Sequence, residues 1–230
     1  MKYSNRLSLP EFFKEFSNEN YCIIKIDDNF PNYCEFSDID IFCYDISKLA
    51  DKIFKIGNKY IEDGFEIRVN EAKSGHQVQI DFYINNKLDF KFDLYQHLPS
   101  YRRIMIKPAF FSSIIENRVR IAKNFNNEPI EFYVPSKIDD LILRYIEYIE
   151  FYDIRADKIK HMDYINSFAE KLDKKLLLDK LHFYTEIPNV KSDESEINSN
   201  LRRIKKHLNK FRKRPLKYFV YALTGKLDRI

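Results

Sequence analysis

Glycine is nearly missing from this chain. Its 230 residues include four, Gly57, Gly64, Gly75 and Gly225, and none lies within six positions of another. Loops that cradle a phosphate need clustered glycines so that successive backbone N–H groups can approach the anion, so the Walker loop and the dinucleotide-binding turn are both excluded. Cysteine is scarce as well: Cys22, Cys34 and Cys43 are odd in number and lack metal-ligand spacing. That pattern argues against a disulfide framework and suits a reducing cytoplasm. Tryptophan is absent. No apolar run approaches the roughly 18 residues of a membrane span, and residues 1–20 lack the continuous apolar stretch of a signal peptide. The expectation is a cytoplasmic protein, soluble or peripheral to the inner face of the membrane.

A strong excess of one charge is also missing, since the net charge is +4. The total conceals an asymmetry. Residues 1–100 carry 12 basic and 17 acidic side chains, 101–200 carry 16 and 17, and 201–230 carry 11 and 1. A surface that neutralises nucleic acid throughout is therefore excluded, and the positive charge is confined to the last thirty residues. With 44% hydrophobic and 16% aromatic residues the chain can bury a sizeable core.

Periodicity outlines an α+β order. Ser8 and Glu11 are spaced as a capping box before a short helix with Phe12, Phe13 and Phe16 on one face. Strands are expected at 21–26 and 38–44, then a helix from Ser47 as N-cap to Gly64, then strands at 65–69, 76–84 and 87–95. In the last two, joined by Asn85-Asn86, alternation puts Val78, Ile80, Phe82 and Ile84 with Leu88, Phe90, Phe92 and Leu94. Asp81, Asp89 and Asp93 fall on the opposite face. A short helix at 108–117 and a second hairpin around 124–127 complete a first domain, 1–135. Helices follow over 136–184, opened by Ser136 and Asp139 as a capping box with an apolar stripe through Leu141, Ile142, Tyr145 and Ile149. Residues 185–200 read as a linker, and 201–230 as a basic amphipathic helical segment.

The chemistry concentrates in "FSDIDIFCYD". Asp38 and Asp40, two apart in a strand, put both carboxylates on one face about 7 Å apart at Cα. Two anions so placed repel, and a divalent cation with oxygen ligands removes the repulsion, as in phosphoryl- and nucleotidyl-transfer sites. A third carboxylate would come from the later hairpin, ranked Asp93, Asp81, Asp89. The plainer alternative is a solvated edge strand whose aspartates pair with lysines such as Lys25 or Lys91.

With Ser37, Asp38, Ile39, Asp40 and Ile41, and with Asp93 in "FKFDLY", the chain resembles the nucleotidyltransferases of the DNA polymerase β type. Over roughly residues 20–170 it is similar to bacterial nucleotidyltransferase-like proteins associated with surface-polysaccharide synthesis. The resemblance implies a polymerase-β-like mixed sheet with flanking helices, a nucleoside triphosphate donor, and a small-molecule or glycan-precursor acceptor. It also implies two Mg²⁺ ions on Asp38, Asp40 and Asp93, with Asp81 as alternative third ligand, the ion at Asp93 activating the acceptor hydroxyl. One departure is plain, because the family's Gly-Ser before the carboxylates has no counterpart here. Lys25, Ser37, Arg102 and Arg103 are candidates to hold phosphates instead, and Arg155, Lys158 and His161, spaced three apart, are candidates for a phosphate or acceptor clamp. His76, His97, His182 and His207 have no spacing that suggests a metal or a triad. Open alternatives are a phosphotransferase of the phosphocholine type, a toxin-type enzyme that modifies tRNA or protein, and an inactive binding or scaffold protein. The basic segment suits an anionic membrane surface or nucleic acid, or simply docks by its apolar stripe.

Overall fold

A computed structural model describes residues 3–4, 6–26, 29–72, 74–125, 128–152, 154–168 and 173–186. The fold is α+β with a mixed sheet, and it divides into two compact units. One is drawn from residues 1–98 and 111–136, the other from 99–110 and the residues from 137 onward.

In the first unit a short strand β1 (Tyr3–Ser4) precedes α1 (Leu9–Phe16), β2 (Tyr21–Ile24), β3 (Tyr33–Cys34), β4 (Ser37–Cys43) and α2 (Ile46–Ile61). Then come β5 (Phe65–Glu71), β6 (Gln77–Ile84) and β7 (Lys87–Tyr95). The five-stranded sheet has the order β2-β4-β7-β6-β5. All its pairs are antiparallel except β4 with β7, which is parallel. Parallel neighbours need a crossover, and the chain from β4 to β7 supplies it through α2, β5 and β6. Asn85 and Asn86 turn the β6–β7 hairpin with φ of 51° and 60°, as a two-residue loop matched to the strand twist requires.

Phenylalanine builds the core on one face of this sheet. Phe12, Phe13 and Phe16 of α1 are all fully buried; the Phe12 ring centre lies 5.1 Å from that of Phe92 of β7 and 5.8 Å from that of Phe82 of β6, and Phe16 lies 6.4 Å from Phe92. Leu49, Ile53 and Ile56 of α2 join the same cluster. The expected caps differ. Ser8 makes no side-chain cap, and its N–H instead bonds the Tyr60 hydroxyl at 2.9 Å, which ties α1 to α2. At α2 the N-cap is Asp45, not Ser47: its carboxylate accepts from the Lys48 N–H at 2.9 Å, and an anion at that end also suits the helix dipole.

Helix α3 (Ala109–Glu116) leads to β9 (Val119–Phe125) and β10 (Glu128–Val134), an antiparallel hairpin that forms its own two-stranded sheet. Phe132 of β10 packs 5.8 Å from Phe13.

The second unit holds β8 (Met105–Ile106), α4 (Lys137–Phe151), α5 (Ile159–Phe168), α6 (Lys174–Tyr184) and β11 (Thr185–Glu186). Strands β8 and β11 pair, so the expected linker opens with a strand; 187–200 and the basic segment 201–230 lie outside the described residues. Helix α4 is buried from Asp139 to Glu150 on every side rather than along one stripe. Each of its charged residues in that span has a partner. Asp139 pairs with Lys180, Asp140 with Arg144 and Glu147 with Lys158, while Glu150 accepts from the Arg102 and Arg103 N–H groups. Buried charge is tolerated only when so matched. Among the described residues no helix is long and apolar enough to cross a membrane.

At Gly57, α2 lies close against the sheet. A Cβ there would sit 2.9 Å from Ile67 Cδ1 and 3.0 Å from the Phe82 ring. Gly57→Ala is expected to lower stability by about 1 kcal/mol or more, because overpacking outweighs the usual helix gain of alanine. A melting temperature equal to or above the parent's would contradict that close fit.

Candidate active site

The parallel register of β4 and β7 places Asp38 opposite Lys91 and Asp40 opposite Asp93. Across β6, Asp81 stands opposite Lys91 and Gln79 opposite Asp93. Residues in register on neighbouring strands project to the same face, with strands about 4.8 Å apart. Ile39, Ile41, Phe92 and Ile80 point into the core. The four aspartates therefore share the sheet's other face. Exposure falls along the row, from 62% for the Asp38 side chain to 21% for Asp40 and 4% for Asp93. Two residues further, Phe42 and Tyr95 close the row, their rings 6.0 Å apart and Phe111 5.1 Å from Phe42. The site thus has an open end at Asp38 and a walled end at Phe42.

Two ammonium groups lie among these carboxylates. Lys91 Nζ is 2.7 Å from Asp93 Oδ2 and 3.8 Å from Asp38 Oδ2, and Lys25 Nζ is 2.7 Å from Asp40 Oδ2. Arg68, opposite Asp81 in register, adds a third cation that is already paired with Glu66, so among the described residues carboxylates outnumber cations on this face. Burial, with the neighbouring charges, moves the proton affinities of the groups inside the row. Burial raises the Asp93 carboxyl above the usual carboxylate range, the charges of Asp40 and Asp38 add to the rise, and Lys91 opposes it. Burial likewise raises Asp81, against the pull of Lys91 and Arg68. For Lys91, burial pulls its proton affinity down, but the bond to Asp93 and the surrounding aspartates outweigh it and the net shift is upward. Asp93 Oδ1 and Asp81 Oδ1 are buried without a hydrogen-bond partner among the described residues.

The backbone is strained on both sides of the site. Lys25 has φ of 56° and Phe36 φ of 67°, the left-handed region that costs a side-chain-bearing residue about 1–2 kcal/mol. Lys25 follows β2 where Ile24 pairs with Asp40, so the left-handed turn ends the strand beside the carboxylate that its ammonium meets. Phe36 precedes Ser37, its N–H bonds the Asp89 carbonyl, and its side chain is exposed.

Hard oxygen donors and surplus negative charge are the chemistry of a Mg²⁺ site, and Asp93 Oδ1, without a partner among the described residues, is a ready ligand atom. With the lysines as they stand, no group of three His, Cys, Asp or Glu among the described residues is arranged to hold a metal. Asp38, Asp40 and Asp93 fit the ion by donor type, provided Lys91 withdraws.

The other sequence candidates have different roles. Ser37 Oγ accepts from the Cys34 N–H at 3.1 Å and closes the turn before β4. Asp89 falls where the β6–β7 register shifts, and instead of joining Asp81 and Asp93 it accepts from the Tyr33 hydroxyl at 2.7 Å and from Arg6 at 2.9 Å. In the second unit Arg155 pairs with Asp157, whereas Lys158 and His161 both meet Glu147, the histidine at 3.6 Å. Glu147, which joins those two, carries no local sequence signal, because it lies on α4, away from them in the chain. Arg103 donates to the Ile149 carbonyl and sits 5.1 Å from the Tyr152 ring centre. Lys91, a neutralising partner in the sequence pattern, sits at the centre of the row. Its signal was the alternation in "FKFD", which puts it on the face of Asp93. No protein-family model, curated protein or solved structure matches the chain.

Two outcomes follow from this geometry. Phe36→Gly removes the left-handed strain at little loss of burial and is expected to raise stability by about 0.5–1 kcal/mol, read by urea unfolding. A less stable variant would show that the Phe36 ring contributes more packing than its exposure indicates. For Asp81, a carboxyl raised in the folded state contributes stability present below the unfolded value, about 3.9, and lost as pH rises through the folded value. Asp81→Asn should therefore be more stable than the parent at pH 7 by about 1 kcal/mol, with the gain vanishing near pH 4. A gain that persists unchanged at acid pH would rule out this cause.

Proposed function

We propose that the chain is a Mg²⁺-dependent nucleotidyltransferase with a polymerase-β-like catalytic sheet, moving a nucleotidyl group from a nucleoside triphosphate to a hydroxyl or phosphate of a small-molecule or glycan-precursor acceptor. The observation that carries this reading is the in-register pairing of Asp40 with Asp93 on adjacent parallel strands, with Asp38 beside them on the same face.

Asp38, Asp40 and Asp93 would hold the metal, which when bound neutralises the phosphates and lowers the pKa of an acceptor hydroxyl. The rest falls to the protein. Substrate enters from the exposed Asp38 end, and the Phe42–Tyr95–Phe111 wall excludes water from the other. Once the carboxylates are engaged, Lys25 and Lys91 are released to meet phosphate oxygens as point charges, a role that replaces the missing glycine-rich grip. In the unliganded protein the same lysines keep four aspartates from repelling one another.

One observation favours a second reading. Lys91 lies between Asp93 and Asp38, where the metal would bind, and a permanent ion pair there describes a scaffold that has lost donor binding. Mn²⁺ binding followed by electron paramagnetic resonance separates the two. In the enzyme the parent binds Mn²⁺ with a nucleotide and Asp40→Asn does not. In the scaffold only Lys91→Met binds it. With ATP, CTP, GTP and UTP tested in turn, the true donor at a hundred times its Kd should stabilise the Mg²⁺-loaded protein by about 2.7 kcal/mol. The absence of a Mg²⁺-dependent shift with all four would overturn the nucleotidyltransferase reading.

A further inference from the structure

We propose that His76 and His97 form a second, separate metal site, for a borderline transition-metal ion such as Zn²⁺, Ni²⁺ or Cu²⁺. The two residues are distant in sequence, and the fold places their rings 4.2 Å apart at the centroids and nearly perpendicular, at 84°. Both are exposed, so burial does not drive them together. The backbone does. Strands β6 and β7 pair through Gln77 opposite Tyr95, and the Gln96 N–H bonds the His76 carbonyl at 2.9 Å, extending the hairpin one residue past its strands. A turn with Gly75 at φ of 70°, closed by the Gly75 N–H to the Ala72 carbonyl at 2.8 Å, delivers His76 from one side. On the other, the His97 ring is backed at 6.1 Å by Phe111, which is buried.

Two imidazoles bound to one tetrahedral ion at about 2.0–2.1 Å have ring centres roughly 5 Å apart, so from the edge-to-face contact at 4.2 Å the rings open by about an ångström and turn to aim one nitrogen each at the metal. Imidazole nitrogen selects zinc, nickel and copper over the oxygen-seeking Mg²⁺, which distinguishes this site from the carboxylate row. Among the described residues no further His, Cys, Asp or Glu completes a group of three. The remaining positions would therefore belong to water or to an incoming ligand, and the ion would clip the end of the hairpin.

The test is titration of ZnCl₂ and, separately, NiCl₂ into the full chain by calorimetry, in millimolar Mg²⁺ and on a Cys34→Ser background so that the half-buried thiol does not compete. Expected is a single saturable site whose occupancy raises the melting temperature, reversed by EDTA. His76→Ala and His97→Ala should each weaken binding by about tenfold or more, while His182→Gln and His207→Gln leave it unchanged. Binding by either alanine variant equal to the parent's, or no binding by the parent, would overturn the site. Neither result bears on the carboxylate row, whose ligands are all oxygen.

Discussion

Crowding of negative charge on one face of the sheet is the constraint around which the first unit is organised. Alternation in β4 forces Asp38 and Asp40 to the same side, and the parallel partner adds Asp93 at the same level as Asp40. Carboxylates at that spacing in a partly buried setting are unfavourable without cations. Lys91 and Lys25 supply them, one from the middle of β7 and one from a left-handed residue beyond the end of β2. An arrangement stabilised by counter-charge is suited to exchanging one cation for another, which is why the same residues support a metal site and an ion-paired scaffold.

The opposite face needs none of this. Its contacts are rings and aliphatic side chains, and α1 and α2 close over it with a glycine where α2 lies close against the sheet. Close packing there holds the strands in register, and register sets the distances on the polar face. A slip of one residue between β4 and β7 would separate Asp40 from Asp93 and bury the aspartates. The hydrophobic face thereby enforces the geometry of the charged one.

The second unit resolves buried charge differently. Helix α4 carries acidic residues on several sides, and partners from the segment before β8, from α6 and from the segment leading into α5 meet them one by one. Arg155, Lys158 and His161 have the sequence spacing of an anion clamp, but Arg155 and Lys158 lie before α5, in and beside a short 3-10 turn, and only His161 is on that helix. Glu147, contributed by α4, takes two of them as structural partners.

Much was legible in the sequence because it depends on period alone. The β6–β7 hairpin with its Asn-Asn turn, the strand carrying Asp38 and Asp40, the aromatic face of α1 and the face shared by Asp81 and Asp93 all follow from alternation or helical spacing. Of the caps, Ser8 holds the N-cap position of α1 without a side-chain bond, its N–H taken by the Tyr60 hydroxyl, and Asp45, two residues before Ser47, caps α2. Asp89 departed from its face because the strand register shifts beside it, an event that period cannot reveal. Which strands become neighbours, that β4 and β7 run parallel, that Lys91 settles between Asp38 and Asp93, and that His76 meets His97 were decided only by the tertiary structure. Local sequence determines which way a side chain points along its own element, but the distance between two elements is set by how their apolar faces pack.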